Sequence, residues 1–255
     1  MKQYKQQQIL SNNKSIIISG FGVHVTDTGS KYEGQFSKGK QHGYGTMTYE
    51  DGTRYTGNWF KGKYSGKGKY YGLSNYFYDG EWLFNKMNGF GTLITQKGDK
   101  YVGNFVKGLF NGKGNMTYKT GIIYTGDWKD GMPHGFGTQT MLDGSKVQAI
   151  FKNGSLDGDV SIVCNGERTT CTFTNNKVSG EVVSYYTTGV IIKRYWENNS
   201  MSGKIKLIFT DKSEIEGEVD SFNVVNGVKT EPNGTKTYVN FSLENDEFNV
   251  ELNKQ

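Results

Sequence analysis

One five-residue pattern returns along the chain at an interval of 23 residues. It has the form Tyr-x-Gly-x-(Trp or Phe), and five copies follow one another without an insertion. Repetition at a fixed period of about 20–50 residues is typical of stacked structural units, each of which packs on the next. The chain is therefore expected to fold as an array of one small unit. The copies are Tyr32–Phe36, Tyr55–Trp59, Tyr78–Trp82, Tyr101–Phe105 and Tyr124–Trp128.

Glycines follow these motifs in the same register. When positions are counted from the first tyrosine of each copy, glycine stands at position 12 and at position 14 throughout. Because glycine has no Cβ, it leaves backbone open to a side chain that packs across it. We therefore expect both positions to form a bare floor under the rings. Position 12 is Gly43, Gly66, Gly89, Gly112 and Gly135, and position 14 is Gly45, Gly68, Gly91, Gly114 and Gly137.

Each unit has the pattern of a β-hairpin. The residues that carry the motif alternate with polar ones, which is the period of a β-strand. Position 8 is glycine in five copies and asparagine in three, and both residues tolerate a left-handed backbone. Turn dipeptides such as Asp51-Gly52 and Asn165-Gly166 separate the hairpins. The predicted fold class is all-β: an elongated, twisted antiparallel β-meander of repeated hairpins, that is, a single-sheet solenoid.

Weaker copies extend the register in both directions. We predict an N-terminal tail over residues 1–8 and one continuous repeat array over residues 9–255. Within the array, residues 9–31 form a degenerate repeat, residues 32–146 form five regular repeats and residues 147–255 form divergent repeats.

The divergent repeats replace rings and glycines with other side chains, mostly β-branched. Such residues on both strands predict an ordinary packed sheet face. We interpret this region either as a cap or as the place where a second copy or another protein packs. Position 1 becomes Val147, Thr169, Ile192 and Ile215, and position 14 becomes Val160, Val182 and Ile205.

Composition excludes several other classes of protein. Glycine occurs 36 times and the aromatic residues (17 Tyr, 15 Phe and 4 Trp) also total 36, whereas proline occurs twice. These numbers argue against collagen, a Pro-rich linker and disorder. No apolar run approaches the roughly 18 residues of a membrane-spanning helix, and the N-terminus lacks the apolar core of a secretory signal. We therefore expect a cytoplasmic protein in which Cys164 and Cys171 stay reduced.

The unit Tyr-x-Gly-x-(Trp/Phe)-x-x-Gly-x-x-x-Gly-x-Gly resembles the MORN repeat (membrane occupation and recognition nexus). Residues 32–146 match it closely, including the pairs His42-Gly43 and His134-Gly135, and the flanking residues match loosely. The resemblance implies an elongated antiparallel sheet that serves as a scaffold or docking surface. Members of the family are found in cilia and flagella, in cytoskeletal structures, at membrane contact sites and appended to lipid kinases.

The regular aromatic row has two interpretations. It either grips a protein partner with rigid rings, which make good interface anchors, or only holds neighbouring repeats together. Packing is favoured for any single ring, but one sheet has too few layers to bury the whole row. Because an exposed apolar strip usually marks an interaction site, the row is the candidate partner-binding site. Its members are Tyr32, Phe36, Tyr55, Trp59, Tyr78, Trp82, Tyr101, Phe105, Tyr124 and Trp128.

Charge divides unevenly between the two parts of the chain. Residues 1–146 hold 19 Lys and Arg against 10 Asp and Glu, a net charge of +9. Residues 147–255 hold 11 against 15, a net charge of −4. The basic part suits an anionic membrane or an acidic partner, and the opposite signs favour self-association. A solvated lysine surface that keeps the sheet soluble is the other interpretation.

Nucleic-acid binding and catalysis receive no support. Only three of the 30 basic residues are arginine, which argues against specific base readout. No nucleophile, phosphate-loop or metal-ligand motif occurs, so we predict no enzyme activity, no cofactor and no metal site. The predicted function is a scaffold that docks a protein partner through its repeat sheet, as a subunit of a ciliary or cytoskeletal assembly. The alternative is a peripheral membrane tether that binds anionic phospholipid through the basic N-terminal half.

Overall fold

The computed structural model describes residues 7–11, 14–219, 224–244 and 247–252. The chain divides into two compact units, residues 1–132 and residues 133–255. Every regular secondary-structure element among the described residues is a β-strand, which confirms the all-β prediction. The tail predicted over residues 1–8 lies mostly outside the described residues, and the first strand begins at Gln7.

The first unit is a β-meander, in which consecutive strands pair antiparallel. This order confirms the predicted succession of hairpins. The strands are β1 (Gln7–Ser11), β2 (Lys14–Val25), β3 (Lys31–Ser37), β4 (Lys40–Thr48), β5 (Arg54–Phe60), β6 (Lys63–Tyr71), β7 (Phe77–Leu83), β8 (Lys86–Ile94), β9 (Lys100–Val106), β10 (Leu109–Thr117) and β11 (Ile123–Lys129).

The second unit repeats the meander, except that the interrupted strand β16–β17 pairs with β15 in two segments. The strands are β12 (Met132–Thr140), β13 (Lys146–Lys152), β14 (Ser155–Cys164), β15 (Glu167–Thr174), β16 (Lys177–Val178), β17 (Gly180–Tyr185), β18 (Ile191–Glu197), β19 (Ser200–Ile208), β20 (Glu214–Val219), β21 (Val224–Thr230), β22 (Lys236–Glu244) and β23 (Glu247–Leu252).

The tight turn inside each regular hairpin is a two-residue turn of type I′. Phe60 pairs with Lys63, and the two residues between them, Lys61 and Gly62, have φ of 51° and 81°. Positive φ at both central residues defines this turn, whose twist matches that of the flanking strands. Position 8 has positive φ in every regular copy. The prediction of a left-handed residue there is confirmed.

These turns also tie each copy to the one before it. The backbone N–H of Gly62 donates to the carbonyl of Gln41 at 2.9 Å, and the other copies repeat this bond. Where position 8 is asparagine, the side chain adds a second bond, because Oδ1 of Asn85 accepts from the backbone N–H of Tyr64 at 2.7 Å. Asparagine therefore suits this position through its backbone and through its side chain.

Position 14 is a floor for the first-position tyrosine, as predicted. A Cβ placed on Gly68 would lie 2.3 Å from Oη of Tyr55, and one on Gly57, at position 3, would lie 2.4 Å from the Cα of Gly68. Both distances are far below van der Waals contact, so only glycine fits beneath the ring. The equivalent glycines of the first, third and fourth regular copies meet their tyrosines in the same way.

Position 12 has a different role, and the prediction of a floor is wrong there. Gly66 has φ of 83°, and the nearest atom to a Cβ placed on it belongs to Asn58, at 3.3 Å, rather than to a ring. The pairing of β5 with β6 shifts between Gly57 and Trp59, because β6 carries two extra residues there and forms a bulge. Glycine stands at position 12 because this bulge needs a left-handed residue.

The second unit has an aliphatic core in place of rings on glycine, as predicted for its divergent repeats. Ile192, Ile205, Leu207, Ile215 and Val239 form one buried cluster. Because a first-position isoleucine is much shorter than tyrosine, it leaves room for a side chain at position 14. The interpretation of this region as a cap or a docking face stays a prediction.

Candidate docking surface

The ten rings of the predicted partner-binding row are buried. Each is 8% exposed or less, and the tyrosines of the first four regular copies are 0% exposed. Tyr55 makes edge-to-face contacts with Trp59 of its own copy at 5.2 Å and with Trp82 of the next copy at 5.5 Å. This burial favours the packing interpretation, and direct contact with a partner stays a prediction. The ten are Tyr32, Phe36, Tyr55, Trp59, Tyr78, Trp82, Tyr101, Phe105, Tyr124 and Trp128.

The polar atoms of these rings are bonded within the sheet. Oη of Tyr55 donates to the carbonyl of Asn58 at 2.8 Å, and all five regular copies repeat this bond. Nε1 of Trp59 donates to the carbonyl of Gly45 at 3.0 Å. Burial raises the pKa of Tyr32 to about 12, because the phenolate is disfavoured away from water. The row is therefore a rigid support for the residues outside it.

Further rings, which the sequence period does not mark, cover part of this row. Tyr64 stacks on Tyr55 with ring centroids 3.7 Å apart, and Phe110 stacks on Tyr101 at 4.0 Å. Both stand at position 10, which is glutamine, methionine or proline in the other regular copies. The sheet thus buries its row under side chains of its own second strands rather than under a second layer.

Three exposed rings of the first unit share one position of the repeat and lie on the face of the sheet opposite the buried row. Phe21, Tyr44 and Phe90 are 52%, 59% and 56% exposed. Each stands at position 13, which pairs with position 4 and so alternates away from the buried row. Lys67 holds position 13 in the copy between Tyr44 and Phe90, and Lys113 holds it in the copy that follows Phe90. We call these five residues the outer row; neighbours in it are about 10 Å apart, because two strand spacings separate them.

The bulge at position 12 fixes the backbone of the outer row. The backbone N–H of Tyr44 donates to Oε1 of Gln35 at 3.2 Å, and that of Phe90 donates to Oε1 of Glu81 at 3.4 Å. Gln35 and Glu81 both stand at position 4, so a long acceptor on one strand fastens the bulged strand beside it. A ring on a fixed backbone loses less entropy when it binds a partner.

The five type I′ turns of the first unit form a second exposed surface, which we call the turn edge. It comprises residues 37–40, 60–63, 83–86, 106–109 and 129–132. Seven lysines and a single acidic residue, Asp130, lie on it. Phe60, Phe84 and Leu109 are among its exposed apolar side chains. The ion pairs found between described residues involve none of its lysines. The seven are Lys38, Lys40, Lys61, Lys63, Lys86, Lys107 and Lys129.

Cys164 and Cys171 are both free thiols, and burial raises the pKa of the Cys171 thiol. Within the described ranges, no group of three or more His, Cys, Asp and Glu side chains is placed to hold a metal ion. Nor does the described part of the chain include a helix with the length and apolar character needed to cross a membrane.

Comparison with known families decides what the repeats are. The MORN repeat model matches residues 32–54, 55–72, 78–100, 101–122 and 124–146. This chain carries five MORN repeats. Such repeats typically build non-catalytic scaffolds, and they suggest a scaffold or membrane-binding role for the protein. The match covers the region over which the ring and glycine register is strict.

Other comparisons add no functional information. No curated protein matches the chain. Among solved structures, a point mutant of the TCP10 domain of Danio rerio CPAP is 11% identical, with a TM-score of 0.42, over 84% of this chain and 96% of that one. A streptogramin B lyase structure is 9% identical, with a TM-score of 0.16, over 99% of this chain and 88% of that one. Likenesses this low carry no argument about what the MORN-repeat protein binds.

Proposed function

We propose that this MORN-repeat protein is a non-enzymatic docking protein that binds a protein partner through the outer row. The observation that carries the proposal is that Phe21, Tyr44 and Phe90 are each more than half exposed and lie on one face. Exposed aromatic rings at regular spacing on a rigid backbone are typical anchors of protein interfaces. Lys67, which lies between Tyr44 and Phe90, favours a partner with an acidic group between its apolar contacts.

The setting of this function is also a proposal. Resemblance to other MORN-repeat proteins is the reason to look for the partner among ciliary and cytoskeletal proteins of the cytoplasm. The opposite net charges of the two parts of the chain support self-association as a further expectation. Sedimentation at low and high salt tests it, because an association driven by charge weakens as salt rises.

The docking proposal is tested by removing the exposed rings without touching the buried row. A triple variant, Phe21→Ala with Tyr44→Ala and Phe90→Ala, is compared with the unmodified chain in affinity capture followed by mass spectrometry. A protein that the unmodified chain retains should bind the variant about 100-fold or more weakly, because each aromatic anchor contributes roughly 1–2 kcal/mol.

A matched control removes three exposed apolar side chains from the turn edge, by Phe60→Ala, Leu83→Ala and Val106→Ala. This control should retain the same protein. If the outer-row variant and the control retain the partner equally well, the outer row is not the docking surface.

A second candidate function, binding to an anionic membrane, is favoured by the turn edge. Its seven lysines and exposed apolar side chains form the combination that suits a membrane surface with negative headgroups. A lysine near such a surface contributes about 1 kcal/mol. Co-sedimentation with vesicles that contain or lack phosphatidylserine tests this candidate.

Charge reversal on the turn edge sharpens the vesicle experiment. Lys61→Glu with Lys63→Glu should abolish sedimentation with the anionic vesicles. Lys97→Glu with Lys119→Glu makes the same change of net charge at the opposite ends of the hairpins and should leave sedimentation largely intact. Equal and poor sedimentation of the unmodified protein with both vesicle types would remove this candidate.

A further inference from the structure

One pocket in the first unit lies on the face of the buried row, beside the turn edge. Its volume is about 330 Å³, which is close to the lower end of the range in which proteins hold ligands, about 300–1,000 Å³. Its walls are aromatic and its rim is basic. The residues that line it are Tyr64, Tyr70, Tyr76, Trp82, Asn85, Lys86, Met87, Lys107 and Gly108.

The pocket is absent from the repeat pattern because it is built from departures from that pattern. Tyr70 stands at position 16, where the other regular copies have methionine, leucine or glutamine. Tyr76 stands at position 22, where the others have threonine, aspartate, isoleucine or serine. The two rings lie 6.1 Å apart at an angle of 75°. This copy alone has tyrosine at both positions.

Gly72 and the turn that follows it make room for these two rings. A Cβ on Gly72 would lie 3.0 Å from the ring of Tyr76 and 3.1 Å from that of Tyr70. The turn itself places Ser74 and Asn75 at φ of 54° and 62°, which is a two-residue type I′ turn. The same turn in the other regular copies contains a left-handed glycine instead. Three local departures thus serve one feature, the aromatic wall.

The remaining wall and the rim define the chemistry of the pocket. Trp82 lies edge-on to Tyr64 at 5.2 Å and at 61° to Tyr70 at 6.4 Å. Lys86 and Lys107 are exposed at the rim, and the lining residues include no carboxylate. Ring faces alone would also suit a cation, but two lysines at the rim repel one.

We propose that this pocket binds one aromatic side chain of a peptide segment whose neighbouring residues are acidic. The rings receive the side chain edge-to-face, which stabilises aromatic pairs beyond the area they bury. The carboxylates of the neighbouring residues pair with Lys86 and Lys107. The site is distinct from the outer row, so it adds a second contact for a protein partner without depending on the first.

The experiment measures binding of labelled synthetic peptides to the full chain by fluorescence anisotropy. The probe peptide is Glu-Asp-Phe-Asp-Glu, and its comparison peptides replace Phe with Ala or all the acids with Lys. The probe should bind the full chain at least about tenfold more tightly than either comparison peptide. If the three peptides bind equally, or if the probe does not bind, the proposal is wrong.

Variants of the chain locate the binding. Lys86→Glu with Lys107→Glu should weaken binding of the probe about tenfold or more, and Tyr76→Ser should do the same while leaving the charge unchanged. Lys38→Glu with Lys40→Glu is the control, because it changes the charge equally at positions 7 and 9 of the first regular copy, the positions that Lys107 and Lys86 hold in their own copies. A similar loss in the control and the pocket variant would assign the binding to overall charge and overturn the proposal.

The result is separable from the test of the outer row. If the variant of Phe21, Tyr44 and Phe90 loses its partner while the probe peptide never binds, only the pocket proposal fails. If the probe binds as expected while that variant keeps its partner, only the outer-row proposal fails. Melting temperatures within a few degrees of the unmodified protein show that the variants are folded.

Discussion

A methyl group placed under one tyrosine should destabilise the protein more than a methyl group two residues away. The perturbation is Gly68→Ala, whose new Cβ would lie 2.3 Å from Oη and 2.5 Å from Cζ of Tyr55. Tyr55 has no space into which to move. It is 0% exposed, it stacks on Tyr64 at 3.7 Å, and two tryptophans hold its edges.

The loss in the free energy of unfolding depends on how the structure responds to the added methyl group. If the backbone yields, the cost is that of overpacking, about 1–3 kcal/mol. If the ring is expelled instead, the loss of roughly 200 Å² of buried surface at about 25 cal/mol per Å² costs about 5 kcal/mol. We expect a loss of about 3 kcal/mol in the free energy of unfolding, measured by urea denaturation of the full chain.

The matched control is Gly66→Ala, in the bulge of the same strand. Its penalty comes from a left-handed backbone, about 1–2 kcal/mol, because the nearest atom to its Cβ is 3.3 Å away and belongs to Asn58. Gly68→Ala should therefore cost more than Gly66→Ala. In a Tyr55→Leu background, which lacks the clashing atoms, Gly68→Ala should cost less than about 1 kcal/mol.

Aliphatic pairs in the second unit are the reason to expect that Tyr55→Leu lowers the cost of Gly68→Ala. Ile192 at position 1 and Ile205 at position 14 are both buried in one cluster. Equal penalties at Gly66 and Gly68, or additive costs of Tyr55→Leu and Gly68→Ala, would refute the packing of the ring on bare backbone.

Two further predictions concern the buried tyrosines and the left-handed position of the tight turn. Burial raises the pKa values of Tyr32 and Tyr101 to about 12 from the ordinary value of 10.0. The free energy of unfolding should therefore be fully maintained below pH 10.0 and should fall as pH rises through 12. Unfolding midpoints that stay constant over this range would contradict the prediction. Gly62→Asn should be close to neutral, whereas Gly62→Ala should cost about 1 kcal/mol. The difference arises because an asparagine side chain at residue 62 can accept from the backbone N–H of Gln41, as Asn85 accepts from that of Tyr64. Equal free energies of unfolding for the two variants would show that this side-chain bond contributes nothing.

The repeat made much of the fold predictable. Alternation and the Gly or Asn at position 8 were sufficient for the hairpins and their turns, because these are local properties of the backbone. The role of position 12 was mispredicted, because strict alternation places it on the same face as position 14. The bulge breaks that alternation, and Gly66 with its positive φ has no ring above it.

The candidate site was less predictable than the fold. A period in the sequence marks residues that every copy needs, and in this sheet those residues are the buried ones, such as Tyr55. Surfaces for binding differ from copy to copy, so Tyr44 alternates with Lys67 at position 13 and Tyr76 occurs only once in its register. The pocket also depends on residues from three successive copies, for example Tyr76, Trp82 and Lys107, and only the packed structure brings them together.

Hydrogen exchange at the tryptophan indoles tests the central claim, that rings rest on the backbone of the position-14 glycines. Nε1 of Trp59, Trp82 and Trp128 donates to the carbonyls of Gly45, Gly68 and Gly114, whereas within the described residues the buried Nε1 of Trp196 has no acceptor. The account predicts three indole N–H signals that exchange slowly in the nuclear magnetic resonance spectrum and one that exchanges faster. Rapid exchange of all four would contradict it.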